Sequence, residues 1–562
     1  MRLLTTFIIS VTIFSCVPNK IDADLLVKNA NIYTVDQDFS TASSFVVTDG
    51  KIVEIGIKPE LELKYNIANT YDAKGHTIVP GLIDAHGHVF NLGVSKQYVD
   101  LMGTTSFEEV LERVVAFQKE KKSDFILGRG WDQNDWEVQE FPNNKMLDSL
   151  FPDTPVAITR VDGHALVANS LALSMAGITT KTKMPGGSIE VVEGKLTGIV
   201  IDTPMDLVYA AVSEPTPEFI KTALLDAEAE CLSLGLTTVD DAGLSVEVIE
   251  AIDTMQQEDE LKLRIYAMVS NTPENLNHFL TKGIIKTDRL NVRSVKVYAD
   301  GALGSRGAAM REPYSDRHNH FGAMITTQTE LNDLAQRIEK AGYQMNTHAI
   351  GDSANVAVLR AYKNTLKGKK DMRWRIEHAQ IVTPVDFKDF SKNIIPSVQP
   401  THATSDMYWA EERVGKDRIE GAYAYKTLLD NAGIIALGTD FPVERVNPMH
   451  TFYAAVARKD LKHYPEGGFR PSEILSREEA LKGMTIWAAY ANFEENEKGS
   501  IEEGKLADFT ILNQDIMTVN ADSIPHTKVV ATFINGEVVF ENTTLKSVER
   551  KEERIKATDE AH

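Results

Sequence analysis

Eight short β-prone runs recur along this chain, and five of them carry a metal-ligand type of residue at or near their end. In order they are TIVPGLIDAHGH (Thr77 to His88), TTV (Thr237 to Val239), RIYAMVS (Arg264 to Ser270), SVKVYAD (Ser294 to Asp300), YQMNTHA (Tyr343 to Ala349), RWRIEHA (Arg373 to Ala379), IIPSVQP (Ile394 to Pro400) and IIALGTD (Ile434 to Asp440). Helical stretches such as TELNDLAQRIEKAG (Thr329 to Gly342) separate most of them. Eight strands alternating with helices predict an α/β chain built on a (β/α)8 TIM barrel, whose site lies at the carboxyl ends of the strands. There the sequence concentrates His86, His88, Lys296, His348, His378 and Asp440, with His402 just beyond the seventh run. His86 and His88 stand two apart, so in a strand both imidazoles face one side and can reach one metal ion.

These motifs together are similar to those of the amidohydrolase superfamily of metal-dependent hydrolases: GLIDAHGH, VKVYADGALGSRGA with Lys296, NTHAIGD with His348, EHAQ with His378, QPTHATSD with His402 and GTDFPVE with Asp440. They resemble most its large branch that includes N-substituted formamide deformylase, over about Leu25 to Glu541. The resemblance implies two divalent metal ions, most simply zinc, sharing a hydroxide nucleophile. His86, His88 and Asp440 would hold the more buried ion, His348 and His378 the more exposed one, and Lys296 would bridge both once carboxylated, because an unmodified lysine is a cation and cannot ligate. Iron, manganese or cobalt would suit the same donors. Asp440 would also take the proton of the nucleophile and pass it to the leaving nitrogen, while His402 or His164 would donate to the developing oxyanion. The activity implied is hydrolysis of a carbon–nitrogen bond outside peptides, such as an N-substituted formamide or amide. Hydrolysis of an ester, lactone or phosphoester on the same site is the alternative, and a catalytically silent binding lipoprotein a further one. A homodimer is common among such proteins.

Outside the eight runs, DLLVKNANIYTVD and FVVTDGKIVEIG near the N-terminus, with DFTILN and VVATFINGEVVF near the C-terminus, predict a small β-sandwich made from both chain ends, residues 22–76 plus 500–545. The barrel is expected over 77–499, with a long insertion, 89–235, after the first barrel strand that covers the active site. From that insertion Trp131, Asp132 and His164 are candidates for the pocket wall, and after the fourth strand Gly301 and Arg306 are candidates for orienting a carboxylate or carbonyl of the substrate.

With a net charge of -22, the chain lacks the basic face that a nucleic-acid partner requires, so a small-molecule substrate is expected. Arg2 followed by the apolar stretch Leu3 to Phe14 reads as a signal segment too short to span a membrane. Its end at Ser15-Cys16 resembles a bacterial lipobox, which would anchor an exported lipoprotein in the cell envelope through Cys16. The second cysteine, Cys231, lies on an apolar helix face and reads as a small buried hydrophobe.

Overall fold

A computed structural model describes residues 20–212 and 215–545. The signal segment and Cys16 lie outside the described residues. All eight expected strands are present in one parallel sheet, in chain order: Leu82–Gly87, Leu236–Leu244, Arg264–Ser270, Leu290–Tyr298, Gln344–Ala349, Trp374–His378, Ile394–Val398 and Ala436–Leu437. Register brings the site positions level, with Tyr298 opposite His348 and Ala349 opposite His378. The sheet closes at its mouth through backbone bonds from Asp440 N to His86 O (2.7 Å) and from His88 N to Phe441 O (2.9 Å). The fold is thus a (β/α)8 barrel.

Alternation along the strands decides which side chains face the centre. In the fourth strand Val295 and Val297 are buried against the surrounding helices, in the same apolar cluster as Ile338 and Leu331, while Ser294 and Lys296 point inward. The helices carry their own start signals. Gln328–Lys340 begins at Thr327, whose hydroxyl accepts from Glu330 N while the Glu330 carboxylate accepts from Thr327 N, so two otherwise unpaired amides are satisfied.

The run Thr77 to His88, expected as one barrel strand, is two. Thr77–Pro80 pairs with Phe509–Leu512 and Asn31–Tyr33 in a separate six-stranded sheet, and only Leu82–Gly87 enters the barrel. The break is Gly81, where a Cβ would lie 2.3 Å from Thr237 Oγ1. That six-stranded sheet, drawn from both chain ends, packs against a four-stranded sheet of residues from Ile21 to Asp72. Val27, Phe45 and Val47 meet Ile78, Phe509 and Ile511 between them.

Between the first two barrel strands the chain builds a further six-stranded sheet, from Val99–Asp100 to Lys195–Asp202, with two apolar cores of its own. The helix Pro217–Ser233, within the span expected as insertion, instead joins the barrel's outer layer. Its Leu224, Ala227 and Cys231 are buried in the same cluster as Leu236 and Val239.

Candidate metal centre

Four strand ends, the first turn of the helix Pro400–Asp406 and the loop after the eighth strand deliver one cluster. His88 Nε2 lies 3.1 Å from Asp440 Oδ1, His86 Nε2 lies 3.6 Å from the same oxygen, and His402 Nε2 lies 3.6 Å from Asp440 Oδ2. Lys296 Nζ is 3.0 Å from His86 Nε2. The His378 ring stacks on His402 at 5.8 Å between centroids and sits 4.6 Å from the ring of His348. Two groups have the spacing to hold a cation, His86–His88–Asp440 and His378–His402–Asp440, with Asp440 shared.

The backbone is bent to make this possible. His378 and Ala379 have φ of +70° and +40°, and Asp440 has +64°. Positive φ costs an L-residue on the order of 1 kcal/mol or more, and it persists where surrounding structure imposes it. At His378 the bend overrides strand alternation, so that consecutive residues Glu377 and His378 both turn toward the barrel centre.

Neighbouring groups fix which imidazole nitrogen is free. His86 Nδ1 meets Glu377 Oε2; an ionised carboxylate only accepts, so Nδ1 carries the hydrogen and Nε2 is left with its lone pair toward Lys296 and Asp440. His378 Nδ1 likewise donates to Gln399 Oε1 at 2.7 Å, leaving its Nε2 free. Glu377 is itself held by Arg375, whose Nε donates to Oε1 at 2.7 Å. The same guanidinium reaches Asp240 Oδ2 (2.7 Å) and Ser397 Oγ (2.9 Å) with no exposure to solvent. This network fills a barrel interior that branched apolar residues commonly occupy.

Electrostatics suit a divalent cation. Burial, reinforced by the Lys296 charge, lowers His86 to about 4 and His348 to about 3, and burial pushes His378 well below the ordinary histidine value. Burial would raise Asp440, but its bond from His88 and the surrounding imidazoles outweigh that and hold it well below the usual carboxylate range. Neutral imidazoles beside an ionised carboxylate are the forms that ligate. His402 Nε2 is buried with no hydrogen-bond partner, as expected of a nitrogen whose partner is an ion. Burial also lowers Lys296 to about 8, so about a tenth of its amine is neutral at pH 7, far more than for an exposed lysine. The residues present therefore fit the divalent metal that the donor set implies.

The remaining expected site residues are placed differently. His348 Nε2 faces the Gly301 carbonyl at 3.5 Å and Asp300 Oδ1 at 3.6 Å, with its ring beside that of His378, while the group with ligand spacing around His378 includes His402. Gly301 thus borders the centre through its carbonyl. Arg306 is committed to Asp316, with Nε to Oδ1 at 3.1 Å and Nη2 to Oδ2 at 2.7 Å. Trp131 is fully buried in the core of the insertion, where its Nε1 donates to Ile158 O at 2.8 Å, so it offers no surface to a substrate. Asp132 pairs with Arg160 at 2.6 Å. His164 has a side chain 74% exposed and pairs with Asp202 at 2.8 Å, with no bond to any residue of the metal cluster. Sequence reasoning missed Glu377, Gln399 and Arg375. The signal for the first and last was two charges, two apart, inside an otherwise apolar strand.

The amidohydrolase family model Amidohydro_3 matches residues 69–540. The protein LONG AFTER FAR-RED 3 of Arabidopsis thaliana is 33% identical over 93% of this chain and 92% of its own length. The N-substituted formamide deformylase of Arthrobacter pascens is 26% identical over 92% of this chain and 99% of its own. Among solved structures, an uncharacterized metal-dependent hydrolase from Pyrococcus furiosus superimposes with a TM-score of 0.74 at 29% identity, covering 88% of this chain and all of that one. The match over most of the chain, on a barrel whose strand ends assemble a metal-binding cluster, makes this protein a member of the amidohydrolase family and a metal-dependent hydrolase.

Proposed function

We propose that this protein hydrolyses a carbon–nitrogen bond outside peptides, with small N-formyl or N-acyl amines as its substrates. The observation that carries the reading is Asp440, ionised, buried and shared between the two groups His86–His88 and His378–His402. Similarity to the N-substituted formamide deformylase over nearly the whole length of both chains supports the choice of bond.

His86, His88 and Asp440 would hold one ion and His378 and His402, sharing Asp440, a second, with zinc the first choice. Ions held there would supply a water of lowered pKa and neutralise charge on the substrate. Lys296 would contribute to holding them as a carbamate: the ammonium first gives up one proton, and the neutral amine then adds carbon dioxide and releases a second, leaving a two-oxygen anion. Asp440 accepts the proton of the attacking water and returns it to the nitrogen as the carbon–nitrogen bond breaks. Arg375 and Glu377 keep His86 in the tautomer that presents Nε2.

The test is elemental analysis of metal per chain with turnover of an N-formyl and N-acyl amine panel. About two metals and amide turnover agree with the reading; turnover of esters or lactones alone overturns the choice of bond. Lys296→Ala should lose metal and activity together, with partial recovery in added short-chain carboxylic acids. On the sequence alone, Cys16 is proposed to carry an envelope lipid anchor, and retention of Cys16→Ser in the membrane fraction would overturn it.

A further inference from the structure

Resting on that reading, one residue of the barrel mouth acquires a role. Tyr298 follows Lys296 by two positions on the fourth strand, so both face inward. Lys296 is 1% exposed and Tyr298 42%, which places the tyrosine one layer nearer the mouth. Its ring lies 5.5 Å from the ring of His348 and 5.0 Å from Lys296 Nζ, so it forms a wall of the metal centre. Its hydroxyl points toward Gly243 at the end of the second strand, where even a Cβ would stand 3.9 Å away.

The hydroxyl of Tyr298 makes no hydrogen bond among the described residues, while its backbone carbonyl accepts from Thr326 Oγ1 at 2.6 Å. Other tyrosines in the barrel are committed. Tyr266 donates to Gln344 Oε1, Tyr343 to Gly283 O, Tyr362 to Met345 O and Tyr425 to Gln399 O. Hydrolysis of an amide needs a donor for the carbonyl oxygen as it gains charge. His164 stands in the insertion with Asp202, and His402 is grouped with His378 and Asp440. Among the described residues Tyr298 is a partly exposed hydroxyl donor that borders the cluster and has no partner of its own.

We propose that the Tyr298 hydroxyl donates a hydrogen bond to the substrate's carbonyl oxygen and tightens it as the carbon becomes tetrahedral. No proton is transferred; the phenol keeps its hydrogen throughout. The bond should contribute more to the tetrahedral state than to the planar one.

The test compares wild type and Tyr298→Phe as full, metal-loaded chains of equal metal content. Calorimetry with methylphosphonate, a tetrahedral anion, should show at least a roughly tenfold weaker Kd in Tyr298→Phe, while acetate, a planar one, binds both alike. On an N-formyl amine that the wild type turns over, kcat should fall about a hundredfold with KM nearly unchanged. No methylphosphonate binding by wild type, or equal losses for both anions, overturns the role. So does kcat within threefold of wild type. If the wild type turns over 4-nitrophenyl acetate but no amide, the choice of bond fails, and the same comparison on that ester decides Tyr298 independently.

Discussion

The backbone amide of Asp440 donates to the carbonyl of His86 at 2.7 Å, so the hydrogen bond that closes the barrel joins two residues whose side chains, 3.6 Å apart, share the metal centre. Closure of the fold and assembly of the site are one event at this seam. The approach is close because position 438 is glycine: a Cβ there would lie 2.5 Å from His86 N and 2.7 Å from Asp84 Oδ1.

Gly438→Ala should therefore push the eighth strand off the first. Overpacking against backbone costs about 3 kcal/mol. Urea unfolding should show that loss, and metal per chain should drop in the same variant. Unchanged metal content with unchanged stability would mean that the seam yields freely.

Gln399→Leu tests the tautomer of His378. Without the Oε1 acceptor at 2.7 Å, the imidazole is free to rotate or to protonate the wrong nitrogen. Loss of such a partner lowers metal affinity about 10- to 100-fold. Competition with a chelator measures it, and affinity equal to wild type would show that Gln399 does not orient the ring.

How far the sequence made this legible depends on the kind of signal. The strands of the barrel were readable because apolar runs with fixed polar ends repeat, and each such run is a local property. Lys296 and Asp440 could be singled out for the same reason. The split of Thr77 to His88 at Gly81 was hidden, since one continuous β-prone run carries no mark of which sheet each half joins. Trp131 read as a pocket residue because aromatic, polar-flanked segments look alike whether they pack or bind; only the fold shows its indole bonded to Ile158 O. Tyr298 and Gln399 were invisible as site residues, because what distinguishes them is a partner, or the lack of one, far away in sequence.

Arg375→Met should be among the costliest single changes in the barrel. It leaves Glu377 and Asp240 buried without their guanidinium partner, both with no exposure. Removing one member of a buried ion pair costs about 3–5 kcal/mol. Denaturant unfolding of the metal-free variant isolates this from metal binding, and a loss below about 1 kcal/mol would show that the carboxylates find other donors.

Acid stability should carry the mark of Glu494, which is not among the groups with ligand spacing. This buried carboxylate lies 2.7 Å from Lys498 Nζ and 3.0 Å from Lys286 Nζ, and accepts from Asn291 Nδ2 at 3.2 Å. Burial would raise its pKa, but the two ammonium groups outweigh burial and hold it at about 2. An unfolded glutamate titrates near 4.3, roughly two units higher, so the unfolded chain takes up a proton that the folded chain refuses. The stability from this group is therefore present above about pH 4.5 and is lost as pH falls toward about 2. Its full size is on the order of 3 kcal/mol, of which about 2 should disappear between pH 6 and pH 3. Glu494→Gln removes the titrating group while keeping its shape. The variant should be less stable at pH 6, because Lys498 is left buried without its anion, yet its stability should fall less steeply toward pH 3 than that of wild type. Urea unfolding of both proteins across that range, metal-depleted to remove ligand protonation as a variable, reads the difference in slope. Parallel pH profiles would show that the ion pair does not hold Glu494 ionised.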